Sequence, residues 1–78
     1  PNPVTEGQVS LSFVPAGDEL LTITLTDVSA RMVYSESFRA AAGKPVVRTI
    51  STRKLAAGMY TVTILGTETF RTGTIIVR

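Results

Sequence analysis

"LAAGMYTVTIL", residues 55–65, carries two contrary signals. Its second half alternates, with Tyr60, Val62 and Ile64 on one side and Thr61 and Thr63 on the other. Period-two alternation is the pattern of a half-buried β-strand, apolar inward and polar outward. β-branched Thr suits the outward side. The first half does not alternate. Two alanines favour a helix and a glycine ends one, yet the strand follows at once. A Leu-x-x-Gly-x-Tyr spacing at the mouth of a strand therefore asks for a corner.

The same alternation recurs along the chain. "QVSLSF" (8–13) sets Val9, Leu11 and Phe13 on one face, and "LTITLT" (21–26) sets Leu21, Ile23 and Leu25 against three threonines. "PAGDE" (15–19) separates the two as a turn cluster, in which Asp18 and Glu19 read as turn residues. "TDVSAR" (26–31) is the next corner. "RMVYSESF" (31–38) is a third strand with an ambiguous inner face, because Met32, Tyr34 and Phe38 share one parity and Val33 opposes them. "RAAAGKP" (39–45) is a loop with room for a short helical turn, which Pro45 keeps from extending. "VVRTIS" (46–51) is a fourth strand and "YTVTIL" (60–65) a fifth. "LGTE" (65–68) turns the chain into "ETFR" (68–71), and "TGTIIVR" (72–78) is the last strand. These are antiparallel signatures, not the continuous apolar runs of a parallel sheet. The expected fold is all-β, an immunoglobulin-like antiparallel β-sandwich of about seven short strands. Residues 1–78 form one domain on this reading.

That architecture explains the opening stretch. In such sandwiches a Tyr near the start of a late strand hydrogen-bonds back to upstream backbone. Leu55 then plugs the core, and Gly58 takes a backbone shape that is costly for any side-chained residue. Tyr60 buries its ring and gives its hydroxyl a backbone acceptor. At "DVSAR" the carboxylate of Asp27 accepts the N–H two residues on and fixes a turn. Both are structural devices.

Composition narrows the chemistry. The 78 residues are 44% hydrophobic and 18% charged, a globular balance. The sequence has no Cys, His or Trp. Disulfides, the usual zinc ligand sets and most nucleophile–base pairs are thereby removed. Only Lys44 or Lys54 could serve a Ser–Lys pairing. Asp18 and Glu19 fall short of the roughly six to eight oxygens of a calcium site. No Gly-rich phosphate loop exists, and the five aromatics do not interleave with the bases as nucleic-acid platforms do. No catalytic residue, metal, cofactor or nucleic-acid partner is expected. No apolar run approaches the roughly 20 residues of a membrane helix. The net charge of +2 is unevenly spread: residues 1–36 hold five acids and one base, and residues 37–78 hold seven bases and one acid. Sandwiches intermix distant strands, so these signs are expected to mix on the surface.

Four pieces occur in order: "PNPV" at the start, "DVSAR" after a strand, "LAAGMYTVTI", and "TIIVR" after a hairpin. Together they resemble the C-terminal sorting domain of the type IX (Por) secretion system of Bacteroidetes, over essentially the whole chain. That family reads Pro-Asn-Pro, then Asp-x-x-Gly-Arg, then Leu-x-x-Gly-x-Tyr, then an apolar strand capped by Lys or Arg. By this resemblance Pro1, Asn2, Pro3, Asp27, Arg31, Leu55, Gly58 and Tyr60 form the structural motif. Thr74, Ile75, Ile76, Val77 and Arg78 form the stretch that a translocon recognises. The departure is Ala30, where the family has Gly. If that position is left-handed, Ala costs about 1 kcal/mol or more.

The resemblance implies an address rather than an enzyme. A cargo fused to its N-terminal side reaches the periplasm, the outer-membrane type IX translocon reads the domain, and the cargo ends at the outer membrane, on the cell surface or secreted. A sortase-like signal peptidase then removes the domain by cutting upstream of it. The start at "PNPV", without an initiator Met, fits a fragment or a processed product. The end strand would offer backbone groups to a partner by strand addition. A free edge would equally let two copies pair. Arg71 and Arg78 are expected to add a positive end near the partner. The runner-up is an adhesive or carbohydrate-binding module, which would need a platform built from Tyr34, Phe38 and Phe70.

Overall fold

The computed structural model describes residues 7–78, so Pro1, Asn2 and Pro3 lie outside the described residues. Six strands follow in order: β1 (Gln8–Phe13), β2 (Glu19–Thr26), β3 (Met32–Ala40), β4 (Val46–Ser51), β5 (Gly58–Leu65) and β6 (Phe70–Val77). All pairings are antiparallel. β1 and β4 make a two-stranded sheet, and the other strands make a four-stranded sheet in the order β3-β2-β5-β6. The two sheets form a sandwich-like arrangement, and no helix occurs among the described residues.

The core lies between the sheets and follows the alternation. Val9, Leu11, Phe13 and Ile50 come from the small sheet. Leu21, Ile23, Leu25, Tyr60, Val62, Ile64, Ile75 and Val77 come from the large one. Leu21, Ile23 and Leu25 are 0% exposed. Burial of such side chains stabilises by about 1.5–3 kcal/mol each. The outward sides of β2, β5 and β6 are Thr-rich, which satisfies the polar face without burying it.

Three expectations are revised. The count is six strands among the described residues, because "ETFR" and "TGTIIVR" do not form two strands. β6 runs unbroken from Phe70 to Val77, with Gly73 extended and paired to Val62. The Thr-Gly pair that reads as a break is simply part of the ladder. β3 is longer than "RMVYSESF" and reaches Ala40. The loop after it makes a turn rather than a helix, with Gly43 at φ 74° donating its N–H to Pro15 O at 3.1 Å. The ambiguity of β3 is resolved by a β-bulge at Leu25/Thr26. The bulge leaves Met32 60% exposed while Tyr34 and Phe38 pack against the core.

The topology interleaves the two halves, but the charges do not mix evenly, because β1 and β5 carry none. β2 from the acidic half lies against β5 from the basic half, and β1 lies against β4.

Candidate functional site

The register brings the motif residues to one end of the large sheet. Thr26 opposes Thr61, and Thr61 opposes Thr74. Tyr60 opposes Ile75, and Gly58 opposes Val77. The corner after β2, the entry to β5 and the tail of β6 are therefore neighbours, although they are far apart in sequence.

The corner at 27–31 is wired by one side chain. Asp27 Oδ1 accepts the N–H groups of Ser29 at 2.9 Å and Arg31 at 3.0 Å. Asp27 Oδ2 accepts Arg31 Nε–H at 3.3 Å. Backbone bonds close the loop: Asp27 N–H donates to Arg31 O at 2.9 Å, and Ala30 N–H to Asp27 O at 3.0 Å. The Arg31 N–H bond, with the Ser29 bond and the Arg31 guanidinium, holds the Asp27 carboxyl below its ordinary range. Ala30 sits at φ 66°, so the position is left-handed and the departure from Gly is strained.

The 55–60 segment is a tyrosine corner. Tyr60 is 6% exposed and its hydroxyl donates to Ala56 O at 2.6 Å. Leu55 packs against the core from its edge. Gly58 sits at φ 153°, and a Cβ there would meet nothing within 4 Å. Backbone shape, not crowding, is the reason for glycine.

The tail of β6 divides by parity. Ile75 and Val77 are 2% and 6% exposed and belong to the core. Thr74, Ile76 and Arg78 are exposed. β6 is the last strand of its sheet, so its outer edge is open to pairing among the described residues. Arg71 and Arg78 are not brought together. They lie at opposite ends of β6, about 23 Å apart at the usual rise per residue. Arg78 instead shares its end with Arg53 and Lys54, and with Arg31 paired to Asp27, which leaves that end cationic. Exposed Val28, Met32, Met59 and Ile76 surround it.

Sequence reasoning missed Glu19. It is no turn residue: it opens β2 and is 4% exposed. Its Oε2 accepts the Thr69 hydroxyl at 2.6 Å and Gly17 N–H at 3.2 Å, and its Oε1 accepts Glu68 N–H at 2.8 Å. The Glu68 N–H first, then the Thr69 hydroxyl, hold its carboxyl below the ordinary range. Thr69 Oγ1 also accepts Ala16 N–H at 2.9 Å. This knot joins the β1–β2 loop to the β5–β6 hairpin at the end opposite the motifs. Carrying the alternation of Leu25, Ile23 and Leu21 back one step puts Glu19 on the inward face, which was the available signal.

The aromatic platform of the runner-up is not assembled. Tyr34 and Phe38 pack inward on β3, with Arg48 3.9 Å over the Phe38 ring. Burial, then the neighbouring Glu36 carboxylate, pushes the Tyr34 phenol up. Phe70 stands 59% exposed on the strand at the other edge of that sheet.

The profile of one protein family, the secretion system C-terminal sorting domain, matches residues 1–78. The chain belongs to that family. Membership makes this sorting domain a C-terminal signal for type IX secretion, and it implies Bacteroidetes as the setting. It also implies fusion to a cargo, interaction with the type IX machinery, and export to the outer membrane, the cell surface or the medium. No curated protein matches the chain.

Proposed function

We propose that the domain is a passive address. It is read in the periplasm by the outer-membrane translocon of the type IX system, and a sortase-like signal peptidase then severs it from the cargo on its N-terminal side. It is a ligand first and a peptidase substrate second, and it performs no chemistry itself. The observation that carries this reading is the tail of β6. Its inner side is locked into the core by Ile75 and Val77, while Thr74, Ile76 and Arg78 face out along a free sheet edge. A reader can take backbone groups by strand addition and take specificity from those three side chains. Asp27, Arg31, Leu55, Gly58 and Tyr60 act indirectly, by holding that end in shape. Pairing of two copies through β6 would mask the address, so the active form is the monomer.

The test is an export assay. A fluorescent reporter carries a signal peptide ahead of it and residues 1–78 behind it, in a bacterium with a working type IX system. The expected result is reporter on the surface or in the medium, freed from the domain. In a strain without the sortase-like peptidase, reporter and domain stay joined. Retention in the periplasm with a folded domain would refute the reading.

A further inference from the structure

The two sheets are unequal, and the mismatch leaves a groove. Two strands face four, and on the β3 side the gap is closed by Arg48 stacked on Phe38. On the β6 side the described residues leave it open, as a cavity of about 550 Å³.

Its walls and floor differ in kind. β5 contributes only Val62 and Ile64, alternate inward-facing residues that make a floor. The chain along and just past β1 contributes the consecutive run 11–14, and β6 the consecutive run 71–75. Consecutive residues line a space only when a strand presents its edge rather than its face. Among the described residues both β1 and β6 end their sheets, so two backbone edges without a strand partner there bound one apolar trough. Gly73 deepens it: a Cβ there would meet nothing within 4 Å. The runs of four and five residues correspond to about 13–17 Å of extended chain.

The lining carries one formal charge, Arg71, and no carboxylate. Arg71 shares the inward parity of Gly73 and Ile75, and its Nη1 donates to Phe70 O at 3.0 Å, which leaves the other guanidinium donors free for an incoming anion.

We propose that this groove accepts an extended segment of a partner protein, about five residues long, which pairs with the edge of β1 and sets one carboxylate against Arg71 and apolar residues two and four positions away over Val62, Gly73 and Ile75. The segment completes the small sheet as its third strand. The groove rests on its own geometry; that the partner belongs to the secretion machinery rests on the sorting reading.

The probe is a labelled peptide, Ser-Asp-Thr-Val-Thr-Val-Thr, titrated into the 78-residue chain, with a control carrying Lys for Asp. Amide NMR shifts report where it binds. Saturable binding is expected, with shifts confined to residues 11–14, 62–64 and 71–75, and the Lys control weaker by roughly tenfold, the effect of one paired charge. Gly73→Val fills the trough on an ordinary extended backbone and is expected to fold normally while abolishing binding. Arg71→Glu is expected to reverse the preference between the two peptides. No saturable binding, shifts elsewhere, undiminished binding to Gly73→Val, or a second copy of the chain in the groove would each overturn the proposal. The export assay is read separately: peptide binding without export defeats the sorting reading alone, and export without peptide binding defeats the groove alone.

Discussion

The two ends of the sandwich are held by different kinds of wiring. At the motif end each side-chain bond spans two to four residues: Asp27 to Ser29 and Arg31, and Tyr60 to Ala56. At the opposite end, beside the local bond from Gly17 to Glu19, three bonds span about fifty: Glu19 to Glu68 and Thr69, and Ala16 to Thr69. Short loops close at little entropic cost, so the motif end is specified by a few adjacent residues. The Glu19 end forms only when the β1–β2 loop and the β5–β6 hairpin have come together. A presented surface benefits from the first arrangement, because its shape survives disturbance elsewhere.

Substitutions at the two ends can break this contrast. The largest effect is expected from Tyr60→Ala, a loss of about 3–5 kcal/mol in urea unfolding, set by the buried ring. Tyr60→Phe keeps the ring and is expected to lose only about 1 kcal/mol. Equal losses would mean that the hydroxyl alone holds the corner.

Acid probes the far end. Glu19 has its folded pKa depressed below the ordinary value of 4.5. Its contribution is therefore present above that value and lost as pH falls through the lower folded pKa. Asp27, likewise depressed from 3.8, adds a second acid-sensitive contribution at the motif end. Melting followed from pH 6 downward, a range of roughly four units about these values, is expected to show a steep acid loss. Glu19→Gln should flatten part of it and leave the rest. A variant as steep as the parent would show that Glu19 does not contribute to acid stability.

Smaller effects refine the motif end. Gly58→Ala is expected to cost about 1–3 kcal/mol through backbone strain, with no clash to relieve. Ala30→Gly is expected to act in the opposite sense. Relief of the left-handed strain contributes up to about 1 kcal/mol, part of which the unfolded chain offsets. The melting temperature should rise by a few degrees, read by thermal denaturation. A fall on Ala30→Gly would show that the corner has been rebuilt around alanine.

The same contrast explains what the sequence made legible. The strands, the Tyr60 corner and the Asp27 turn were readable because alternation and short spacings encode them. The Glu19 knot was not, since nothing near residue 19 names Glu68 or Thr69 as partners, and "GDE" looks like any turn. β6 was misread as two strands because glycine punctuates a sequence whether or not its backbone is extended. The inequality of the two sheets, and with it the groove, is a property of the assembled fold and has no local signature. Membership in the sorting family rests on the match over residues 1–78, to which the ordered motifs point.

The most direct test acts on β6 without touching the core. Removing residues 75–78 would delete Ile75 and Val77 and confound recognition with unfolding. The double variant Ile76→Asp, Arg78→Glu changes only exposed side chains. It should be compared in the reporter export assay with Tyr60→Phe, which weakens the fold and leaves that surface intact. The double variant is expected to melt like the parent yet leave the reporter in the periplasm, while Tyr60→Phe is exported. Normal export of the double variant would contradict that expectation.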